Sequence, residues 1–341
     1  MCPEPDGWRG LYSRCDAPGR LQGYGPLAVI DIGSNSVRLV VYERLTRSPS
    51  VLFNEKVLAG LGKGLAKTGR LAEASLAQAL AAVRRFKHVS DQCGAVSLHV
   101  LATAAAREAE NGPGFVDELE RICGVEVQVL TGADEARLAA LGIVAGIHDA
   151  NGVAGDLGGG SLELVDIRGE TIGKGLTYPL GGIRLQEAAE GSIRKAERLA
   201  AAALDKSPVL SKLTGRSFYA VGGTWRSLAK LHMHQTDYPL RVMHNYSMPA
   251  EVALDLCREV GRGAVELLPR IETVSKQRRE LLPYGAVVLA QVIRAGRPKD
   301  VVLSALGLRE GHLYELLPPE ERLRDPLISA AEELAYLRSR S

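Results

Sequence analysis

Two short segments rich in glycine and serine have the residue types that bind phosphate. The segment VAGDLGGGSLELVDI at residues 153–167 superposes without a gap on part of LAVIDIGSNSVRLVVYE at residues 27–43, which places Ser161 on Ser36, 125 residues earlier. Glycine lets the backbone turn sharply and approach an anion, and N–H groups and serine hydroxyls donate to phosphate oxygens. Either segment alone is typical of an ordinary tight β-turn. The ungapped pair instead favours a domain duplication whose two hairpins hold a phosphate chain from both sides.

The surrounding pattern predicts the elements that position these turns. Each copy is expected to form a buried strand ending in an acidic residue, Asp31 or Asp156, and a second strand starting at Arg38 or Glu163. Periodicity predicts helices over 71–88, 134–147, 185–213, 225–233, 286–295 and 328–337, and other strands over 51–58, 96–101, 125–130, 218–224 and 301–304. Neither turn opens a helix, so a Rossmann or Walker phosphate loop fits poorly.

Two charged residues between the copies are further candidates. Arg107 and Asn111 are four apart in ATAAAREAENG, so they share one face if that segment is helical. From spacing alone, a solvated face with Arg107 paired to a neighbouring glutamate is the simpler interpretation. Glu135 lies in the first turn of the helix over 134–147 and 21 residues before Asp156, where it could project into a cleft between the repeats. Taken alone, Glu135 is a helix-dipole partner worth about 0.3–1 kcal/mol.

Composition narrows the class of protein. A length of 341 residues predicts two domains, and 42 basic against 40 acidic residues give a net charge of +2, too small for a global nucleic-acid field. We therefore expect no DNA or RNA partner and a local patch for any polyanion. The five cysteines form no C-x-x-C pair, which argues against disulfides and zinc and favours the reduced cytoplasm. No stretch reaches the roughly 18 apolar residues that predict a membrane span. Residues 1–25 contain no signal-peptide core and are treated as an N-terminal extension.

Six motifs together carry a family resemblance. In chain order they are DIGSNSVRLVVYE, ATAAAREAENG, TGADEARLAALGI, GDLGGGSLELV, YAVGGTWRSLAKL and SALGLREG. They resemble the exopolyphosphatase and guanosine pentaphosphate phosphohydrolase family of the actin-like ATPase superfamily, over residues 27–316. The resemblance implies two ribonuclease H-like α/β domains, at 26–148 and 149–316, with the active site in the cleft between them. It also implies that a C-terminal helix in 317–341 returns to the first domain.

The same resemblance implies roles for individual residues. It implies that phosphate is bound by the first loop, through Ser34, Asn35 and Ser36, and by the second loop, through Gly158, Gly159, Gly160 and Ser161. It implies a divalent cation, Mg²⁺ or Mn²⁺, near Asp31, Asp156 and Glu163. Glu135 corresponds to the glutamate that orients or deprotonates the reactive water, and Arg107 to an arginine that contacts phosphate. Asp134 replaces a glutamate of the family motif, and we expect this change to be harmless.

The expected function is hydrolysis of the terminal phosphoanhydride of inorganic polyphosphate. Conversion of pppGpp to ppGpp stays open because both activities share these motifs. An ATP-dependent sugar or acetate kinase of the same superfamily and a polyphosphate or alarmone sensor without turnover are further alternatives. Longer family members carry a C-terminal HD-type domain that has no counterpart here, so we expect short chains or a nucleotide terminus as substrates. We also expect a homodimer. Basic residues of the second half could form a polyanion path, namely Arg194, Lys195, Lys206, Lys212, Arg216, Lys276, Arg278 and Arg279.

Overall fold

The computed structural model describes residues 25–262 and 264–338. In this part of the chain the first of two sheets consists of β1 (Leu27–Ile32), β2 (Val37–Tyr42), β3 (Val51–Val57), β4 (Ser97–Ala102) and β5 (Val127–Val129). Its order is β3-β2-β1-β4-β5, with β1 antiparallel to β2 and parallel to β4. The N-terminal extension predicted for 1–25 lies outside the described residues except for Gly25.

The second sheet has a related arrangement. It consists of β6 (Asn151–Leu157), β7 (Leu162–Arg168), β8 (Thr171–Ile172), β9 (Leu176–Tyr178), β10 (Ser217–Val221), β11 (Tyr246–Pro249) and β12 (Asp300–Leu303). The order is β11-β12-β10-β6-β7-β8, and β9 also pairs with β7. As in the first sheet, the hairpin strand β6 is antiparallel to its partner β7 and parallel to the strand on its other side, β10.

Helices cover both sheets. The first group is α1 (Leu65–Thr68), α2 (Glu73–Gln92), α3 (Ala104–Glu108), α4 (Gly112–Cys123) and α5 (Gly132–Gly146). The second group is α6 (Gly182–Ala188), α7 (Ile193–Leu204), α8 (Gly223–Gln235), α9 (Ala250–Gly261), α10 (Lys276–Arg279) and α11 (Leu282–Gly296). The chain continues with α12 (Leu308–Leu316), α13 (Pro319–Arg322) and α14 (Pro326–Arg338). No helix among the described residues is long and apolar enough to cross a bilayer.

The predicted repeat is present in the backbone. Asp31 pairs with Arg38 across β1 and β2, and Asp156 pairs with Glu163 across β6 and β7. The two turns close with the same hydrogen bond: Gly33 N–H donates to the Ser36 carbonyl at 3.0 Å, and the corresponding distance from Gly158 to Ser161 is also 3.0 Å. The prediction of an α/β fold with two ribonuclease H-like units is therefore confirmed.

One apolar core joins the two sheets through α5. Leu138 and Ile143 of α5 are buried in a cluster that includes Val29 of β1 and Val165 of β7. Helix α12 packs along α5 so closely that a Cβ on Gly142 would lie 2.2 Å from the Gly307 carbonyl oxygen. The shared core holds the two hairpins in a fixed relation, and the domain boundary drawn at 148 stays a prediction.

The C-terminal segment is held by an arginine of the first unit. Arg47 donates to the carbonyl of Ala145 at 2.5 Å and to the carbonyl of Arg324 at 2.9 Å, and its guanidinium lies over the ring of Tyr314. Helix α14 also contacts α5. Because Arg47 is buried, these carbonyls satisfy donors that have no access to water.

Two sequence predictions differ from the structure. Arg107 and Asn111 do not share a helix face, because α3 ends at Glu108 and the backbone of Ala109 is extended. Asn111 is instead the N-cap residue of α4, and its side-chain oxygen accepts from the backbone N–H of Leu71 at 2.8 Å. The helix predicted over 185–213 is divided into α6, α7 and a 3-10 turn, with Gly191 in the left-handed region between the two helices.

Candidate active site

The two hairpins end at a cleft of about 340 Å³. Its lining includes all the predicted phosphate-loop and carboxylate positions: Asp31, Ser34, Asn35, Ser36, Glu135, Asp156, Gly158, Gly159, Gly160, Ser161 and Glu163. Arg107 does not line the cleft and reaches it through Glu135. The structure therefore brings together residues that are up to 132 positions apart in sequence.

The two phosphate loops touch each other. Ser34 is buried, and a Cβ placed on Gly159 would lie 3.2 Å from both the Ser34 Cβ and the Asn35 backbone nitrogen. The first loop is braced by Gly62, whose N–H donates to the Ser34 carbonyl at 2.7 Å. The second is braced by the start of α6, where Ile183 N–H donates to the Gly159 carbonyl at 3.0 Å. Glycine in the second loop thus makes room for side chains of the first.

A capping box at the start of α5 aims Glu135 at the cleft. The Thr131 hydroxyl donates to the Asp134 carboxylate at 2.6 Å, and the Asp134 backbone N–H donates back to that hydroxyl at 3.2 Å. Asp134 therefore faces the helix end, while the next residue, Glu135, lies on the buried side. The aspartate at position 134 closes this box. That its replacement of the family's glutamate is harmless stays a prediction.

Arg107 holds Glu135 in place. Its guanidinium donates to Glu135 Oε1 at 2.6 Å and to the carbonyl of Leu130, and it lies 3.7 Å from Glu108. Burial raises the pKa of Glu135 to about 7, although the hydrogen bond from Arg107 works in the opposite direction. A carboxyl group with a pKa near 7 can exchange a proton with water at neutral pH.

Two more carboxylates complete what we call the acidic side of the cleft: Glu135, Asp156 and Glu163. Burial raises the pKa of Asp156 to about 6. Glu163 is 3% exposed, and burial together with the charge of Glu135 raises its pKa well above the usual range. In the described part of the chain neither Asp156 nor Glu163 forms an ion pair, and Glu163 Oε1 has no hydrogen-bond partner. Of the three carboxylates, only Glu135 therefore has a paired cation in the described chain, Arg107.

The donor chemistry of the acidic side fits a hard divalent cation. Among residues 25–262 and 264–338 no three His, Cys, Asp or Glu side chains form a ready metal-binding group. Mg²⁺ commonly keeps several waters and binds through one or two carboxylates together with substrate phosphates. Asp156 and the unpartnered oxygen of Glu163 suit that mode. Asp31, the third predicted ligand, is already paired with an arginine.

That arginine, Arg309, belongs to the SALGLREG motif, whose chemistry the sequence left undefined. It lies in the first turn of α12, and its guanidinium donates to Asp31 Oδ2 at 2.7 Å. The next residue, Glu310, is 3.7 Å from Arg309 and accepts from the Tyr42 hydroxyl at 2.9 Å. Burial opposes the charge on Arg309, but Glu310 and Asp31 outweigh that cost and raise its pKa. In the sequence, the only indication of this ion pair is the pair of adjacent opposite charges, Arg309 and Glu310, shortly after Gly307.

Another part of the cleft lining is cationic. This basic side consists of Arg38, Lys56, Arg226 and Arg278. Arg38 and Lys56 are neighbours in the register between β2 and β3, and Arg226 lies in α8. Burial, and to a smaller extent repulsion from Arg278 and Arg226, lowers the pKa of Lys56 to about 8. Within the described chain none of the four forms an ion pair with a carboxylate. Such a cluster is relieved by a bound anion.

Sequence reasoning found the basic side only in part. Of the basic residues proposed as a polyanion path, Arg278 alone lines the cleft. Arg216 instead pairs with Asp166 at 2.6 Å, and Arg279 pairs with Glu266 at 2.6 Å. Arg38 carried a usable signal, because it occupies the position that Glu163 has in the other repeat.

Comparison with known proteins defines the class. Residues 40–320 match the model of the Ppx/GppA phosphatase family, so the chain belongs to that family. The predicted family resemblance is thereby confirmed, and a phosphatase activity is supported at the level of the family.

Individual relatives have more specific names. The chain is 26% identical over 294 residues to exopolyphosphatase 2 of Mycobacterium tuberculosis, covering 80% of this chain and 91% of that protein. It is 27% identical over 349 residues to retrograde regulation protein 2 of Saccharomyces cerevisiae, covering 91% of this chain but only 58% of the yeast protein. A crystal structure of an exopolyphosphatase-like protein aligns with a TM-score of 0.76 and 26% identity, over 86% of this chain and 97% of that one. A Cytophaga hutchinsonii exopolyphosphatase, at 22% identity and TM-score 0.76, covers 85% and 97% and shares the fold.

Proposed function

We propose that this protein is an exopolyphosphatase that releases orthophosphate from the end of inorganic polyphosphate. The observation that carries the proposal is the cleft itself, whose lining combines an acidic side containing Glu135 with a basic side whose cations lack carboxylate partners in the described chain. A phosphate chain supplies the anions that the basic side requires. Relatives named exopolyphosphatase support the same substrate.

The chemistry follows from the positions of these side chains. The two loops would orient the terminal phosphoryl group, and Arg38, Lys56, Arg226 and Arg278 would bind the phosphates behind it. Glu135 would take a proton from a water whose oxygen bonds to the terminal phosphorus. The bond to the bridging oxygen breaks, and the shortened chain leaves with that electron pair. Arg107 keeps the Glu135 carboxylate in one orientation throughout.

A divalent cation belongs to this proposal. Mg²⁺ or Mn²⁺ held by Asp156 and Glu163 would neutralise charge on the phosphate oxygens. Glu163 would bind the ion through the oxygen that otherwise has no partner. Burial disfavours the charged form of Asp156, and the bound ion would stabilise that form. The same donors serve polyphosphate and the triphosphate end of pppGpp, so both substrates are compatible with the cleft.

Phosphate release tests the proposal. Short polyphosphate, long polyphosphate, pppGpp and ATP are offered with Mg²⁺ at pH 8 to wild type and to Glu135→Gln. We expect polyphosphate to be hydrolysed fastest and Glu135→Gln to lower the rate by about 10³-fold, because general-base catalysis contributes about 10²–10⁴-fold. Asp134→Asn is the matched control, since it removes the neighbouring carboxylate, which faces the helix end. Its rate should stay within about threefold of wild type.

Other outcomes would replace the proposal. Hydrolysis of pppGpp alone would assign the sister activity. Polyphosphate binding without phosphate release by wild type would assign a sensor, a role that the name of the yeast relative makes worth testing. Loss of phosphate from ATP only when a sugar or acetate is added would assign a kinase.

A further inference from the structure

The two hairpin aspartates have the same backbone position but different surroundings. Asp31 and Asp156 are each the second-to-last residue in the first strand of a hairpin. Asp31 is held by Arg309 at 2.7 Å, whereas Asp156 forms no ion pair in the described chain. The repeat therefore contains one aspartate with its own cation and one without.

Arg309 is built into this position. It comes from α12, 278 residues away from Asp31, and its side chain is 11% exposed. Gly307 and Glu310 fix the start of α12, because the Glu310 carboxylate accepts from the Gly307 N–H at 2.9 Å. Arg309 also keeps a buried Nε without a hydrogen-bond partner, so Asp31 satisfies only part of its donor set.

We infer that Arg309 is an internal counter-ion that competes with the divalent cation for Asp31. A carboxylate oxygen that accepts a short charge-assisted hydrogen bond must give up that bond, at least in part, to coordinate a metal ion. Without metal, Arg309 would thus balance the charge of Asp31. The metal ion would first bind Asp156 and Glu163, which have no paired cation in the described chain. This inference rests on the proposed metal-dependent function and adds to it a restraint on metal affinity.

Direct metal binding tests the competition. Mn²⁺ is titrated into the chelator-treated full chain without substrate, and free Mn²⁺ is measured by electron paramagnetic resonance. We expect Arg309→Gln to tighten Mn²⁺ binding by about tenfold, within the range of couplings between contacting charged residues. Arg278→Gln is the matched control. It removes one positive charge from the same cleft, and the Arg278 guanidinium donates to the Gly223 carbonyl and the Ser227 hydroxyl rather than to Asp31 or Asp156, so the change should tighten binding by about twofold at most.

A double-mutant cycle assigns the effect to Asp31. Asp31→Asn alone should weaken Mn²⁺ binding, and adding Arg309→Gln to Asp31→Asn should change the affinity by less than about twofold. Arg309→Lys serves if the glutamine variant does not fold. It keeps a charge but loses the guanidinium fork, so it should tighten binding by about threefold.

Several results would overturn the inference. These are an unchanged affinity in Arg309→Gln, equal tightening in Arg309→Gln and Arg278→Gln, and undiminished tightening in the Asp31→Asn background. The cycle uses no substrate, so its result is separate from phosphate release. If the cycle shows the expected coupling between Arg309 and Asp31 but the protein hydrolyses no substrate, only the proposed function is contradicted. If hydrolysis is normal but the cycle shows no coupling, only the competition is contradicted.

Discussion

The two hairpins have the same backbone arrangement but carry different charged residues. In β1–β2, Asp31 lies opposite Arg38 and is paired with Arg309. In β6–β7, Asp156 lies opposite Glu163, and neither forms an ion pair in the described chain. Under the proposed function, a single cross-strand position, arginine in one copy and glutamate in the other, distinguishes a hairpin that would bind anions from one that would hold the cation.

The turns differ in a complementary way. Ser34 of the first loop is buried where the second loop has Gly159. Two identical loops with side chains at this point could not approach so closely, because both Cβ atoms would compete for one space. The asymmetry therefore lets two related turns meet closely, at the surface where we propose that phosphate binds.

Among the variants that compare the two hairpins, the largest effect should come from replacing their charged side chains with neutral ones. Glu163→Gln removes a carboxylate from the reacting end and should lower kcat for polyphosphate by about 10²-fold. Arg38→Gln alters the equivalent position in the other hairpin and should mainly raise KM, by about tenfold, because it removes a phosphate contact made throughout the reaction. Steady-state kinetics of the two variants check this split. Equal losses of kcat in the two variants would show that the hairpins do not have separate roles in catalysis and in substrate binding.

A second prediction concerns stability and has opposite signs at the two aspartates. Asp31→Asn leaves the buried Arg309 short of a partner and should lower the free energy of unfolding by about 1–3 kcal/mol. Asp156→Asn removes an unpaired desolvated charge and should raise it by about 1–2 kcal/mol at pH 8. Metal-free urea unfolding measures both.

The pH dependence of stability gives the sign of the change in unfolding free energy expected for Asp156→Asn. Folding raises its pKa from 3.8 to about 6, so the folded protein binds more protons than the unfolded chain between these values. Stability contributed by this group therefore falls as pH rises through that window and is constant above it. The gain from Asp156→Asn should be present at pH 8 and absent at pH 3.5. The same sign for both aspartate variants at pH 8 would contradict the comparison.

The smallest predicted effect tests the turn asymmetry. Gly159→Ser gives the second loop the residue of the first, with a Cβ 3.2 Å from Ser34 and Asn35. We expect a loss of about 1 kcal/mol in unfolding free energy and a three- to tenfold lower kcat/KM. Gly114→Ala in α4 is the control, because its added Cβ meets nothing within 4 Å and should leave both quantities unchanged or slightly improved.

How far the sequence predicted this site depends on the kind of contact. The hairpins, the loops and Glu135 follow from local motifs whose strand register is set by alternation and turn chemistry. Lys56 required the pairing of β3 with β2, and the Arg309–Asp31 ion pair joins residues 278 positions apart. Asn111, which follows the break between α3 and α4, accepts a hydrogen bond from the Leu71 N–H, 40 positions earlier in the chain. Long-range partners of this kind leave no local periodicity.

Isotope incorporation tests the central claim most directly. Polyphosphate is hydrolysed with Mg²⁺ at pH 8 in water enriched in ¹⁸O, and the released orthophosphate is analysed by mass spectrometry for wild type and Glu135→Gln. The account predicts one solvent oxygen in each released orthophosphate and a rate about 10³-fold lower in the variant. Solvent oxygen found in the shortened chain instead, or an unchanged rate in Glu135→Gln, would contradict attack on the terminal phosphorus by a water that Glu135 activates.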